Sequence, residues 1–186
     1  MANYNQFKKH AMIFAKNKKQ RIIIERIEDR YYISEGFTML CVPSVFYDVL
    51  IRPLSPLFLP LENGQKATRR PGEDLAQIEP GTTREFADIF TRYSCETPAT
   101  VTPFMYAPVQ DQKINIRLVD VGGKLVQYND GYISAILEYA DSFKASADRF
   151  PVLKWEDGAG TGCIILPVNN KPCFAALDEL REVLRK

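Results

Sequence analysis

The sequence is poor in the side chains from which most metal and catalytic sites are built. Its only histidine is His10, and its four cysteines, at positions 41, 95, 163 and 173, form no close pair. Zinc sites combine Cys and His ligands at short spacings, so we predict neither a metal nor a cofactor. Cys41 and Cys163 lie in apolar runs, where a free thiol is usually buried and inert.

The sequence also lacks a long apolar run and an excess of one charge. No stretch reaches the roughly 18 apolar residues of a transmembrane helix, and the polar, basic N-terminus is unlike a secretory signal. We therefore predict a cytoplasmic protein without membrane contact. The formal net charge of +1 argues against a uniformly basic nucleic-acid-binding protein. Residues 1–30 nevertheless carry a clear excess of basic side chains.

What the sequence contains is typical of a folded α+β protein. Its 186 residues are 46% hydrophobic and 25% charged, which suits one domain, since domains commonly contain about 100 to 200 residues. We predict a single domain, 1–186, in four parts. These are a first half (1–51), a proline-rich connection with a short helix (52–111), a second half (112–170) and a C-terminal helix (171–186).

The first half begins with a helix that carries the most distinctive charges of the chain. Phe7, Ala11 and Phe14 recur at helical spacing within residues 5–17 and predict one buried side. Four lysines on the other side span about a 100° arc, so they can meet a phosphate backbone together. The candidate nucleic-acid-binding residues are therefore Lys8, Lys9, Lys16 and Lys19. An ordinary solvated helix face explains the same charges.

Two strands and an irregular segment are predicted to follow this helix. Residues 21–28 and 31–43 are rich in β-branched and aromatic residues and are joined by a tight turn. Proline and glycine interrupt residues 52–81, which predicts a long loop without regular structure. A capping box at 82–85 predicts a short helix, and residues 97–108 read as an extended connection.

The second half repeats the pattern of helix and strands. A strand around 114–118, a turn at Gly122–Gly123 and a returning strand precede a helix that Asn129 or Asp130 caps. The helix has a regular apolar stripe, formed by Tyr132, Ile136, Tyr139 and Phe143. Two strands, at 150–156 and 162–168, follow it, and Pro172 opens the C-terminal helix, whose apolar side carries Phe174, Leu177, Leu180 and Leu184.

Three other features have a structural interpretation beside a functional one. The glycine-rich run 158–162 resembles a phosphate loop, but a strand follows it, so a hairpin turn is favoured. Asp111, Asp120 and Asp130 stand at strand ends and turns, where Asp usually accepts bonds from local amides instead of binding a metal. His10 has no catalytic partner at helical spacing and is interpreted as structural.

The two halves match in order and in length. Each has an aromatic amphipathic helix, a charged turn, a strand, and then an apolar strand that ends in proline. The final strands, Thr38–Pro43 and Gly162–Pro167, are alike in chemistry, although almost no residues are identical. Two related halves around a pseudo-twofold axis explain this match, and so does a chance order of elements in an α+β chain.

The segments Lys124–Asn129, Tyr132–Leu137 and Ile164–Val168 resemble the second half of a DNA sliding-clamp domain. In that family a strand leads into a helix, and the unit ends on an apolar strand with proline. The resemblance covers roughly residues 112–169 and extends to 5–45. It implies two sheet-and-helix halves, helices that face encircled DNA, and no catalysis. Clamp chains carry two or three such domains, so this chain would close a ring only as several copies.

The function predicted from this resemblance is that of a non-enzymatic, DNA-associated protein, such as a replication accessory factor, that acts through the four lysines. Its partners would be DNA, further copies of the chain or a replication protein. Two alternatives stay open. One is an accessory module that binds a protein through residues 52–81 or the C-terminal helix and does not contact nucleic acid. The other is an enzyme whose pocket gathers residues from distant segments.

Overall fold

The computed structural model describes residues 4–17, 19–55, 58–78, 86–107, 114–137, 140, 142–158 and 160–168. These residues form several helices and one antiparallel sheet, which is the α+β class that the sequence predicts. The helices are α1 (Tyr4–Lys16), α2 (Tyr47–Leu50), α3 (Phe86–Arg92) and α4 (Asp130–Ile136), and a 3₁₀ turn spans Ser44–Phe46. The strands are β1 (Ile22–Ile27), β2 (Arg30–Ser34), β3 (Thr38–Pro43), β4 (Lys66–Arg69), β5 (Ala76–Ile78), β6 (Cys95–Tyr106), β7 (Ile116–Val121), β8 (Lys124–Asn129), β9 (Phe143–Ser146), β10 (Leu153–Glu156) and β11 (Gly162–Ile165).

The sheet joins the two ends of the described chain at its centre. Its eleven strands follow the order β5-β4-β1-β2-β3-β11-β10-β9-β6-β7-β8. In the middle, β3 and β11 run antiparallel, with Cys41 opposite Gly162 and Thr38 opposite Ile165. Beyond β11 the chain passes the β2–β3 turn, because Leu166 N donates to Phe37 O, and then meets β8, where Val168 N donates to Gln127 O.

Both faces of the sheet are buried at its centre. Successive side chains of a strand point to opposite faces, so Leu40 and Val42 join one apolar cluster, while Met39 and Cys41 join another. We call the face with Leu40 the first face and the face with Met39 the second face. Burial on both faces explains why the central strands are almost continuously apolar rather than alternating.

The helices are divided between the two faces. Ala11 and Phe14 of α1 and Ile133 of α4 belong to the first-face cluster, and α1 packs against both α2 and α4. Phe86 and Phe90 of α3 belong to the second-face cluster. Among the residues that the structure describes, three helices therefore cover the first face, and one helix of seven residues lies on the second.

Helix α3 is held at both ends by charges that oppose its dipole. At its start, Glu25 of β1 accepts hydrogen bonds from the amides of Phe86 and Ala87, and the same carboxylate lies 3.0 Å from Lys66 Nζ. At its end, Lys154 Nζ donates to Phe90 O at 3.0 Å. Negative charge at a helix start and positive charge at a helix end are both stabilising, so these groups fix a helix too short to be stable alone.

Two predicted turns and one predicted cap are confirmed. Glu28 has a φ of +53° in the turn between β1 and β2, and Gly122 and Gly123 have positive φ angles between β7 and β8. The side chain of Asn129 accepts a hydrogen bond from Gly131 N at the start of α4. The capping box at 82–85, Tyr139 and the C-terminal helix predicted for 171–186 lie outside the described residues.

Several predicted elements differ from the structure. The strand predicted for 31–43 is two strands, β2 and β3, and the connection predicted from residue 97 is part of the long strand β6. The predicted stripe from Tyr132 to Phe143 is wrong as one helix, because α4 ends at Ile136 and Phe143 lies in β9, where it pairs with Ala99. The segment 52–81 is not irregular throughout, since it supplies β4 and β5. Its glycines 64 and 72 have positive φ angles in turns outside these strands, so the sheet tolerates them.

In the parts of the chain that the structure describes, no helix combines the length and the apolar character needed to cross a lipid bilayer.

The Glu25–Lys66 pair generates a prediction about stability. Both side chains are buried, and removal of one partner of a buried pair leaves an uncompensated charge. We expect Lys66→Met to lower the free energy of unfolding by about 3–5 kcal/mol, as measured by urea denaturation.

The double variant Glu25→Gln/Lys66→Met should be more stable than Lys66→Met, because it leaves neither charge unpaired and keeps an oxygen for the α3 amides. The exposed Lys124→Met is the matched control and should change stability by less than about 0.5 kcal/mol. A Lys66→Met variant as stable as this control would contradict the prediction.

Candidate nucleic-acid interface at the end of helix α1

The end of α1 presents lysines to solvent because the opposite side of the helix is buried. Ala11 and Phe14 are in the core, whereas Lys16 and Lys19 are exposed. Two of the four lysines predicted from the sequence are thus accessible at this end. Lys8 and Lys9 belong to α1, but their side chains are outside the part of the chain whose side chains the structure describes.

Strand β4 brings an arginine pair to the same place. Because β4 pairs with β1, Arg69 lies opposite Ile22, a few residues after the end of α1. Its guanidinium Nη2 donates to Phe14 O at 2.7 Å and to Asn17 O at 3.3 Å. The next residue, Arg70, is exposed. The proline-rich segment therefore adds positive charge to the end of α1.

Arg21, the residue immediately before β1, completes this group. It is exposed, and its Nε donates to Thr68 Oγ1 at 3.0 Å, so it lies beside β4. We call the five cationic residues gathered here the basic end of the sheet: Lys16, Lys19, Arg21, Arg69 and Arg70. Glu73 and Asp74 limit it on one side, since Glu73 N donates to Arg70 O in the turn that follows.

Arg69 makes the end of α1 compatible with an anion. The C-terminus of a helix carries a partial negative charge on its free carbonyls, which alone would repel phosphate. The guanidinium of Arg69 satisfies two of these carbonyls and stays charged at neutral pH, although burial lowers its pKa. The basic end is therefore positive in its buried part as well as at its surface.

A buried carboxylate anchors the same helix end to α4. Glu35, in the turn between β2 and β3, accepts a hydrogen bond from Asn17 Nδ2 at 2.8 Å and another from the Tyr132 hydroxyl of α4. Glu35 is 7% exposed. Burial raises its pKa, although the two hydrogen bonds act in the opposite direction. This network fixes the residue that follows Lys16.

The remaining candidates of the sequence are structural. His10 is fully buried and stacks on the Phe14 ring, and burial lowers its pKa to about 3. Asp130 pairs with Arg117 at 2.7 Å, and Asp120 accepts a hydrogen bond from Gly123 N. Asp111 lies outside the described residues. Among those described, no group of three His, Cys, Asp or Glu side chains is placed to hold a metal ion.

The glycine-rich run and the cysteines also match their structural interpretations. Gly158 and Gly160 lie in the turn between β10 and β11, where Gly160 has a φ of +74°, and Gly162 begins β11. Cys41 and Cys163 are buried free thiols. Burial raises the pKa of Cys163 to about 12, so this thiol is not a nucleophile at neutral pH.

Sequence patterns identified the lysines but not the whole basic end. Arg69 and Arg70 belong to it only because β4 pairs with β1, and such pairing joins residues 47 positions apart. The doublet Arg69–Arg70 was the available signal. No protein-family model matches this chain, and no curated protein or solved structure shows significant similarity to it.

The Glu35 network generates a prediction about pH. The pKa of Glu35 is raised above its ordinary value of 4.5, so the folded chain keeps a proton that the unfolded chain releases. This contribution to stability is present below about pH 4.5 and is lost as pH rises through the raised pKa. Glu35→Gln stays neutral throughout. We expect the stability of the wild-type chain relative to Glu35→Gln to fall from about pH 4 to pH 7.

Urea denaturation at several pH values measures this difference, and Glu96→Gln, at an exposed position, makes the same change of charge as a control. The prediction is contradicted if the free energy of unfolding of wild type, relative to that of Glu35→Gln, stays constant or grows with pH. Burial would then not be the main influence on the pKa of the Glu35 carboxyl.

Proposed function

We propose that this chain is a non-enzymatic, DNA-associated protein of sliding-clamp-like architecture, which contacts the phosphate backbone through the basic end of the sheet. The observation that carries the proposal is the gathering of Lys16, Lys19, Arg21 and Arg70 around Arg69 at one end of α1. Lysine and arginine side chains replace the counterions condensed on DNA, and this release favours binding.

The antiparallel pairing of β3 with β11 is compatible with the clamp-like part of the proposal. The observed pairs are Cys41 with Gly162 and Thr38 with Ile165, so a local twofold axis lies between the two strands, as it does in any antiparallel pair. Two related halves joined through these strands would be exchanged by that axis.

The order of elements on each side of that axis is consistent with two related halves. Helix α1 precedes β1, β2 and β3, and helix α4 precedes β9, β10 and β11. In each half the three strands are consecutive neighbours in the sheet. The two helices pack together on the first face, the arrangement that the resemblance implies for helices facing DNA.

A clamp-like role also implies self-association. One pair of halves is too small to surround a duplex, so the ring would consist of several copies of this chain. We expect a mass in solution that is a multiple of 21.2 kDa, as measured by sedimentation or light scattering. A strictly monomeric chain at the concentrations where DNA binds would contradict the ring, although not the DNA contact itself.

The DNA contact is tested by its dependence on salt. Each phosphate contact in duplex DNA contributes about 0.9 to the slope of log K against log salt. We expect wild-type affinity to fall steeply as salt rises, in fluorescence anisotropy with a labelled duplex. Lys16→Ala/Lys19→Ala should bind more weakly and reduce the slope by about 1.8, because two contacts are lost.

The matched control is Lys124→Ala/Lys144→Ala, which removes two exposed lysines far from α1. This control should keep the wild-type slope. Equal slopes for the two double variants, binding that does not respond to salt, or no binding at low salt would each reject the proposed function.

A further inference from the structure

The second face of the sheet is less completely covered than the first. Helices α1, α2 and α4 lie on the first face, whereas α3 alone lies on the second among the described residues. Ile89, Tyr93 and Leu166 pack against the second-face cluster but stay only partly buried. Beside them Phe37 is 53% exposed. A sheet face this apolar is normally covered by another layer.

The incompletely covered part of this face forms a cavity of about 210 Å³ between α3 and the central strands. Its wall is mostly apolar and includes Phe37, Met39, Phe86, Ile89, Tyr93 and Leu166. Three residues with hydroxyls line it, namely Ser34, Thr38 and Tyr93. Ser34 Oγ donates to Thr38 O, and Thr38 Oγ1 donates to Ile164 O. Since two of the three hydroxyls already donate to the backbone and the rest of the wall is apolar, the cavity suits an apolar occupant.

The size of the cavity matches two apolar side chains. An apolar cavity of about 150 Å³ holds one benzene ring, so 210 Å³ accommodates a phenylalanine ring and part of an aliphatic side chain. The chain itself carries such a pair close by. Leu166 lines the cavity, Val168 is the last residue that the structure describes, and Phe174 and Leu177 follow in the sequence.

Distance permits this segment to return to the cavity. Val168 lies against Gln127 of β8, two residues beyond Leu166 in the cavity wall, and the six residues from Val168 to Phe174 can span roughly 20 Å. The spacing of Phe174, Leu177, Leu180 and Leu184 predicts an amphipathic helix with one apolar side. A polar chain would not benefit from contact with the exposed Phe37, whereas this apolar side would.

We propose that residues 172–186 of the same chain dock on the second face, with Phe174 and Leu177 in the cavity beside α3. The segment then completes the second layer and covers Phe37. This contact does not depend on the basic end of the sheet, since none of its residues lines the cavity.

The decisive experiment compares two single substitutions in the full chain. Leu177→Asp places a charge on the apolar side of the predicted helix, and Ala175→Asp places the same charge on the opposite side. Backbone hydrogen exchange of α3 is the readout. We expect Leu177→Asp to accelerate exchange in α3 about tenfold or more, because loss of one buried leucine shifts a docking equilibrium by at least that factor. Ala175→Asp should leave it unchanged.

A second measurement follows the cavity itself. Deletion of 172–186 should raise the fluorescence of 1-anilinonaphthalene-8-sulfonate, and Phe37→Ser in the deleted chain should lower it again. A synthetic peptide of residues 170–186 should displace the dye, while the Leu177→Asp peptide should not. If the deleted chain does not fold, the two substitutions in the full chain decide the question.

Three results would overturn the proposal. One is equal exchange in Leu177→Asp and Ala175→Asp. Another is dye binding that deletion does not change. The third is α3 protection in the wild-type chain that disappears on dilution together with a dimer, since the occupant would then be the segment of a second copy. DNA affinity in these variants tests none of these three results, so this proposal can fail while the proposed function stands.

Discussion

The antiparallel pairing of β3 with β11 is the interaction on which the rest of the structure depends. It joins five strands on one side to six on the other, so the sheet would divide in two without it. Because this junction is buried on both faces, its residues are apolar at consecutive positions. A sheet that is apolar on both faces requires a covering layer on each side. This requirement explains why α1, α2 and α4 lie on one face and α3 lies on the other.

Strand β4 connects the two layers at the edge of this sheet. Its successive side chains alternate between the faces, so Lys66 reaches the second face and pairs with Glu25 below α3, whereas Arg69 reaches the first face and binds the end of α1. Helix ends leave carbonyls and amides without intrahelical partners. Charged residues from one pair of strands satisfy these groups on both faces, which makes the middle segment part of the fold rather than an insertion beside it.

Local patterns predicted the elements whose signals are local. Helical spacing in α1, the turn glycines 122 and 123, and the cap at Asn129 depend on neighbouring residues, and each was found correctly. The errors occurred where distant pairing decides. Phe143 continues the spacing of α4 but pairs with Ala99 in the sheet, and Lys66–Arg69 looks like a loop until β1 is its neighbour. The basic end was incomplete for the same reason, since Arg69 and Arg70 reach the end of α1 only through that pairing.

The two proposed surfaces share no residue, and this separation limits how they can influence each other. A duplex at the basic end would contact side chains around the end of α1 and the start of β1, whereas the cavity opens beside α3 and none of the basic-end residues lines it. A duplex and the segment 172–186 would therefore not compete for the same contacts. Coupling would have to pass through β1 and β4, whose side chains hold α1 through Arg69 and α3 through Glu25. A packed sheet transmits small shifts poorly unless it has two discrete arrangements, so we expect the two surfaces to act independently.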